Sequence, residues 1–176
     1  IISGESNIPI KNKKIKRVFI TPEITEANQA VVDSLLNADL IVISPGSLYT
    51  SILPNLIIQD VNEALKVTEA KIVYVCNIMT QLGETNDYTA SDHLKAINRH
   101  IGANVVNQII VNNRVMNDEL LQLYAEEQAF PVQIDYDELH LLNVEIIEQD
   151  LVDDSKSIIR HNYKKVANLL YDLACQ

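Results

Sequence analysis

The stretch Ile41-Val42-Ile43-Ser44-Pro45-Gly46-Ser47-Leu48-Tyr49-Thr50-Ser51-Ile52 constrains the fold more than any other. An apolar run stops at Ser-Pro-Gly-Ser, a polar aromatic turn follows, and a second apolar run continues to Ile58. Pro45 cannot donate to a sheet ladder and so ends a strand. Gly46 permits a tight turn and the close approach of a ligand. The amides around Ser47 and Leu48 then open a helix without intrahelical acceptors, which is the geometry of an anion site. An ordinary strand-to-helix turn carries the same signature, and this stretch alone leaves both readings open.

A second strand-end of the same kind weighs toward the anion site. Lys71 to Cys76 is a buried strand that spills into Asn77-Ile78-Met79-Thr80-Gln81-Leu82-Gly83-Glu84-Thr85. A third, Gln108 to Val111, ends at Asn112-Asn113. Near-continuous apolar strands of this length, with Ala38 to Ile43 as the first, are typical of parallel sheets covered on both faces. Between them the spacing predicts helices over Thr25–Asn37, 49–58 (interrupted by Pro54), Val61–Val67, Ser91–Ile101, Asp118–Glu127 and Asp135–His140, and a last helix from Asn162 to about Ala174. Further strands are predicted in residues 1–20, closing at Val18-Phe19-Ile20, at Pro131–Ile134 and at Val144–Ile147. Residues 149–158 read as an acidic loop. Alternating strands and helices argue a Rossmann-like α/β fold with a mostly parallel sheet, whose ligands bind outside the carboxyl ends of the strands. The polar ends at Ser44–Thr50, Asn77–Thr85 and Asn112–Asn113 should share that rim.

The chain has 176 residues, enough for one α/β domain with a real core, and no internal repeat or low-complexity linker. It opens Ile1-Ile2-Ser3-Gly4-Glu5 without Met, and is read as the C-terminal part of a longer protein. A net charge of −10 argues against general nucleic-acid binding. Lys11, Lys13, Lys14, Lys16 and Arg17 hold five of the fourteen basic residues and read as a solvated hairpin or guarded sheet edge. Cys76 and Cys175 are far apart without metal-like spacing, which fits a reduced, cytoplasmic chain. No run approaches the ~18 apolar residues of a membrane span.

Several side chains could carry chemistry. Asn77, Thr80, Gln81 and Thr85 offer neutral donors and acceptors suited to a sugar, a base edge or a phosphate; a loop bonded to itself is the competing reading. Asp92 and His93 are neighbours on one helix and point apart, so helix capping suits Asp92 better than an acid–base pair. His100 is expected to face solvent near a helix end. At helical spacing Tyr124 reads as packing. Arg160 either pairs with the acidic loop at Asp150, Asp153 and Asp154 or clamps a diphosphate with its planar fork. Walker, G-x-S-x-G, H-E-x-x-H and G-x-G-x-x-G motifs are absent.

Three motifs carry a resemblance: Pro45–Ile52 with Pro54-Asn55; Cys76-Asn77-Ile78-Met79-Thr80-Gln81 with Gly83-Glu84-Thr85; and Tyr88-Thr89-Ala90-Ser91-Asp92-His93. With the opening Gly4-Glu5-Ser6-Asn7-Ile8, they resemble the bacterial gluconeogenesis-factor family (YvcK-like), itself similar in fold to 2-phospho-L-lactate transferase of the CofD-like superfamily. The resemblance implies a cytoplasmic protein about twice this length, whose missing N-terminal half would carry a Gly-rich loop and an Asp-Asp-Gly-Gly motif. It implies binding of a UDP-sugar, notably UDP-N-acetylglucosamine, and a role in gluconeogenic growth and cell shape. It also implies no firmly attached catalytic activity. In the transferase branch the reaction moves a phospholactyl group from a guanosine diphosphate carrier to a deazaflavin, with Mg as cofactor under that reading. By the same resemblance Tyr124, in Tyr-Ala-x-Glu, and Arg160, in Arg-His, match positions implicated in UDP-sugar binding. The implied ligand set is Gly46, Ser47, Leu48, Tyr49, Thr50, Asn77, Thr80, Gln81, Thr85, Tyr124 and Arg160. Partners would be a nucleotide sugar or phosphate-bearing small molecule, with homo-oligomerisation open. Ser44 stands where the family has Gly, Leu82 replaces Pro, and Gln128 replaces Gly; none removes a side chain assigned to ligand.

Overall fold

Strand β2 (Lys71–Val75) sends alternate side chains into two separate cores. Ile72 and Tyr74, with Cys76 just beyond, lie in one; Val73 and Val75 lie in the other. Strand β3 (Gln108–Asn112) repeats the pattern, with Ile109 and Val111 on the first face and Ile110 on the second. A strand can be apolar at every position only where both faces are covered. β2 and β3 are the centre of a four-stranded sheet completed by β1 (Leu40–Ile43) and β4 (Glu145–Gln149), in the order β1-β2-β3-β4. Every pairing is parallel, with Val42 opposite Val73, Tyr74 opposite Ile109 and Ile110 opposite Ile147. The computed structural model describes residues 14–22, 25–153 and 158–175.

Helices cover both faces. The first core takes side chains from around α1 (Gln29–Leu36), from a π-helical turn (Leu48–Ile52), and from α2 (Leu53–Leu56), α3 (Gln59–Val67), α4 (Ala90–Ile101) and α6 (Tyr136–Leu141). The second takes them from α5 (Asp118–Glu126), α7 (Tyr163–Ala174) and the hairpin of β5 (Val152–Asp153) with β6 (Arg160–His161). Each fully buried Leu or Ile here contributes roughly 1.5–3 kcal/mol. The result is the expected Rossmann-like, three-layer α/β fold with a parallel sheet.

Local departures have local causes. Pro54 does not interrupt a helix; it sits in the first turn of α2, where its missing N–H would have no intrahelical acceptor. Ahead of it the Ser47 carbonyl accepts from both Ser51 N (2.9 Å) and Ile52 N (3.0 Å), which widens the turn to π geometry. The helix expected over Thr25–Asn37 starts only at Gln29, because Asn28 caps it by accepting from Ala30 N at 3.0 Å. Pro131–Ile134 forms no strand, only a single antiparallel bridge between Met79 and Pro131. Val18-Phe19-Ile20 is not a strand either: residues 14–20 form a strap, whose Val18 N–H donates to His100 Nε2 at 3.2 Å. The expectation for residues 1–13 lies outside the described residues. α1 buries no residue fully, and Val31 and Leu36 on it, with Val42 on β1, are left 46%, 43% and 37% exposed; among the described residues β1 is an edge strand. Among the described residues no helix is long and apolar enough to cross a membrane.

Candidate functional site

Parallel pairing brings the carboxyl ends of β1, β2 and β3 to one rim. There Asn77 and the Gly46 peptide hold each other. Gly46 N–H donates to Asn77 Oδ1 (3.2 Å) and Asn77 Nδ2 donates to Gly46 O (2.8 Å). Asn112, on the next strand, turns inward to brace the hairpin: its Oδ1 accepts from Leu151 N (3.0 Å) and its Nδ2 donates to Arg114 O (3.1 Å). Gly46 has no positive φ, and a Cβ there would meet Ile52 Cγ1 and Ser51 Cβ at an ordinary 3.7 Å. The turn therefore does not need glycine for its backbone, contrary to the reason expected from the sequence.

Two of the protein's own carboxylates occupy the helix N-termini nearest this rim. Glu84 is buried and accepts from Tyr49 N–H (3.0 Å) and the Thr50 hydroxyl (2.9 Å), with Gln81 Nε2 at 3.5 Å. Asp135 accepts from Ser91 N (3.0 Å), the Ser91 hydroxyl (2.5 Å) and the Thr89 hydroxyl (2.8 Å) at the start of α4. That helix start already has a capping box between Thr89 and Asp92, the capping role expected of Asp92. Burial raises the Asp135 carboxyl, but the bonds from Ser91 and Thr89 outweigh it and hold the group below the usual carboxylate range. Anion sites that helix geometry offers are thus filled internally at Tyr49, Thr50 and Ser91. Ser47 and Leu48 N–H have no hydrogen-bond acceptor among the described residues.

The loop after β2 is largely self-satisfied. Thr80 exchanges two bonds with Phe130, N–H to O at 2.7 Å and Phe130 N–H to Oγ1 at 2.9 Å. Thr85 Oγ1 accepts from Gln81 N at 2.9 Å, and both threonines are buried. Asn77 and Gln81 are half-buried and remain the loop's side chains with surface at the rim.

From the other face β6 reaches the same edge. His161 Nε2 donates to Cys76 O at 3.0 Å, at the end of β2 next to Asn77. Tyr124 is half-buried, and its hydroxyl accepts from Ile159 N at 2.8 Å. Arg160 sits between these two anchors, exposed, opposite Asp153 in the β5–β6 ladder and without an ion pair among the described residues. Asp150 is engaged instead by Lys165 (2.6 Å) and Arg114 (3.9 Å).

Several titratable groups near the rim are held inside the fold. Burial lowers the pKa of His161 and of His93, keeping both neutral. His93 Nδ1 meets Thr89 O at 2.8 Å, and its ring stands edge-on to Tyr88 at 5.5 Å. Tyr49 and Tyr88 share a 2.6 Å hydroxyl contact, and burial pushes the Tyr49 phenol well up. Burial pushes the Cys76 thiol up to about 12, so it offers no thiolate. His100 does not face solvent: its Nδ1 meets Ala96 O at 2.7 Å and its ring stands edge-on to Tyr49 at 6.0 Å. Among the described residues no group of three or more His, Cys, Asp or Glu is placed to hold a metal ion.

A groove of about 260 Å³ runs along β1 from Leu35 and Val61 to Ser44, Gly46, Ser51 and Asn55. Between the ends of β2 and β3, at Asn77 and Asn112, the space is only about 10 Å³, enough for one water. Sequence reasoning missed Glu84, Asp135 and His161 as organisers of the rim. Glu84 and His161 stand inside Gly83-Glu84-Thr85 and Arg160-His161, yet their roles come from distant partners, Tyr49 with Thr50 and Cys76, which a short motif does not show.

A doubly covered parallel sheet with a polar rim at its strand carboxyl ends defines a Rossmann-like α/β protein. Residues 1–152 match the family model described as 2-phospho-L-lactate transferase CofD, and the chain belongs to that family. It is 47% identical over 173 residues to the gluconeogenesis factor of Bacillus subtilis (strain 168), covering 98% of this chain and 55% of that protein. To the gluconeogenesis factor of Halalkalibacterium halodurans it is 45% identical over 172 residues, covering 98% and 53%. The crystal structure of protein BH3568 from Bacillus halodurans superposes with a TM-score of 0.92 at 45% identity, covering 97% of this chain and 55% of that one. The chain spans about half the length of the curated relatives it matches.

Proposed function

We propose that this chain is the C-terminal part of a gluconeogenesis factor, a cytoplasmic regulatory protein that binds a UDP-sugar of the UDP-N-acetylglucosamine type and supports gluconeogenic growth and cell shape. The observation that carries the reading is the seating of Arg160. Tyr124 and His161 anchor its flanking peptides at the end of β2, and its guanidinium is left without a carboxylate partner. A charge-assisted fork suits a diphosphate, and the open amides of Ser47 and Leu48 suit a second anionic oxygen. The curated relatives named gluconeogenesis factor support the biological role. The rest of the domain belongs, in this reading, against the edge strand β1 and α1, where Val31, Leu36 and Val42 are exposed.

The family description favours one second reading, a phospholactyl transferase, for which Mg is the expected metal. The residues described here do not fit that metal. Glu84 and Asp135, the buried carboxylate and the half-buried one, are each saturated by protein donors, so a metal would need ligands from outside them. Isothermal titration of UDP-N-acetylglucosamine into the full-length protein tests the proposal. Saturable one-to-one binding without turnover supports it. Absence of binding, together with phospholactyl transfer to a deazaflavin acceptor, would replace it with the second reading.

A further inference from the structure

A cavity of about 690 Å³ lies away from the rim. It opens between the strap 16–20, α3 and the last turn of α4. Arg99 stands ten residues beyond the rim-side cap Thr89, or about 15 Å along the helix axis. Lys16, Arg17, Lys66 and Arg99 line this cavity, opposed by the one carboxylate of Glu63. Glu63 already accepts from Gln59 Nε2 at 3.0 Å. The chain carries 24 acidic residues against 14 basic ones, yet none of these four cations makes an ion pair among the described residues. Converging like charges repel, and in so acidic a protein carboxylates to neutralise them are plentiful. Among the described residues Glu63 alone faces the four cations here, which leaves a net positive charge open to a ligand.

We propose that this cavity is a second ligand site, taking a soluble small molecule that bears two or more linked phosphates. Its volume lies within the range of small-molecule pockets. The guanidinium groups of Arg17 and Arg99 supply planar forks for phosphate oxygens, and Lys16 and Lys66 supply point charges. Phe19, 71% exposed at the same cavity, offers a ring face on which a base can stack. His100 is not a ligand group. Its Nε2 accepts from Val18 N–H and its Nδ1 donates to Ala96 O, so it fastens the strap that forms the outer wall. The ring of His100 also touches Tyr49, whose N–H binds Glu84 at the rim, so one packed chain of side chains joins the two sites.

Inorganic pyrophosphate is the probe, titrated calorimetrically into the full-length protein at fixed low salt. Vesicles containing an anionic phospholipid serve as a parallel arm, because a lipid headgroup offers related phosphate chemistry. All four cations are surface-exposed, so Lys66→Ala with Arg99→Ala should fold, which circular dichroism checks. With UDP-N-acetylglucosamine saturating the rim, the expected result is a pyrophosphate affinity that falls at least tenfold in this double variant and in Lys66→Glu, and stays unchanged in Arg160→Ala, while the double variant keeps its affinity for UDP-N-acetylglucosamine. Four results would each overturn the proposal: no pyrophosphate binding by the wild type, an affinity indifferent to the double variant, loss confined to Arg160→Ala, or binding of vesicles but not pyrophosphate. The last two leave the nucleotide-sugar reading of the rim untouched.

Discussion

Asn77 and Gly46 clasp each other through two hydrogen bonds, at 3.2 and 2.8 Å, and so tie the end of β2 to the turn after β1. The bond from Asn77 Nδ2 leaves no free rotation of the amide, and the bond from Gly46 N–H removes one of the turn's donors from the solvent. Asn77→Ala should cost about 1–3 kcal/mol in urea unfolding, since it leaves the half-buried Gly46 peptide without partners. Asn77→Asp, which keeps the acceptor but loses the donor, should fall between. Equal stabilities of all three proteins would show that the clasp has no energetic role.

Gly46 separates folding from binding. Its backbone lies outside the positive-φ region, and an added Cβ would meet only ordinary contacts. Gly46→Ala should therefore change stability by no more than about 0.5 kcal/mol. If a ligand approaches this turn closely, the same methyl group should weaken UDP-sugar binding. A variant with both properties intact would move the ligand away from Gly46.

Glu84 acts as an internal anion. Glu84→Ala strips the acceptor from Tyr49 N–H and the Thr50 hydroxyl, and should destabilise the fold by about 1–3 kcal/mol for each group left buried and unsatisfied. Chemical denaturation measures this directly. A change within about 0.5 kcal/mol, the range of an ordinary surface substitution, would contradict the assignment.

His93 and His161 set the acid limit of stability. Burial lowers both pKa values below 6.5, so the unfolded chain takes up these protons before the folded one as pH falls. Their contribution is complete above pH 6.5 and is lost as pH falls through the folded values. The urea midpoint should be lower at pH 5.5 than at pH 7.5, and the difference should shrink in His93→Gln with His161→Gln. A midpoint that rises on acidification would give the shifts the opposite sign.

Much of the fold was legible because it rests on period and covalent geometry. Lys71–Cys76 and Gln108–Val111 are apolar at nearly every position, and only a doubly covered parallel strand accommodates that. Asn162 caps α7 by accepting from Lys165 N, as its side chain allows. Where expectation failed, a distant partner decided. Val18-Phe19-Ile20 has strand composition but finds His100, 82 residues away, instead of a strand. Pro131–Ile134 makes one isolated bridge to Met79 and single backbone bonds to Ile78 and Ala90, not a ladder. At the rim, residue type identified polar loops but not which of their groups are spent: Thr80 and Thr85 are turned inward, Gly46 N–H goes to Asn77, and Glu84 takes Tyr49 N–H and the Thr50 hydroxyl.

Arg160 carries the central claim. A charge-assisted contact from its guanidinium to a diphosphate contributes about 1.5–3 kcal/mol. At ~1.4 kcal/mol per decade, Arg160→Ala should weaken UDP-N-acetylglucosamine binding to the full-length protein about 10- to 150-fold, and Arg160→Lys should restore only part, because a point charge cannot fork. The measurement is a calorimetric titration of wild type and both variants at one salt concentration. The account predicts that ordering of affinities with unchanged stability. Equal affinities in wild type and Arg160→Ala would contradict it, and would reduce Arg160 to a surface neighbour of Asp153.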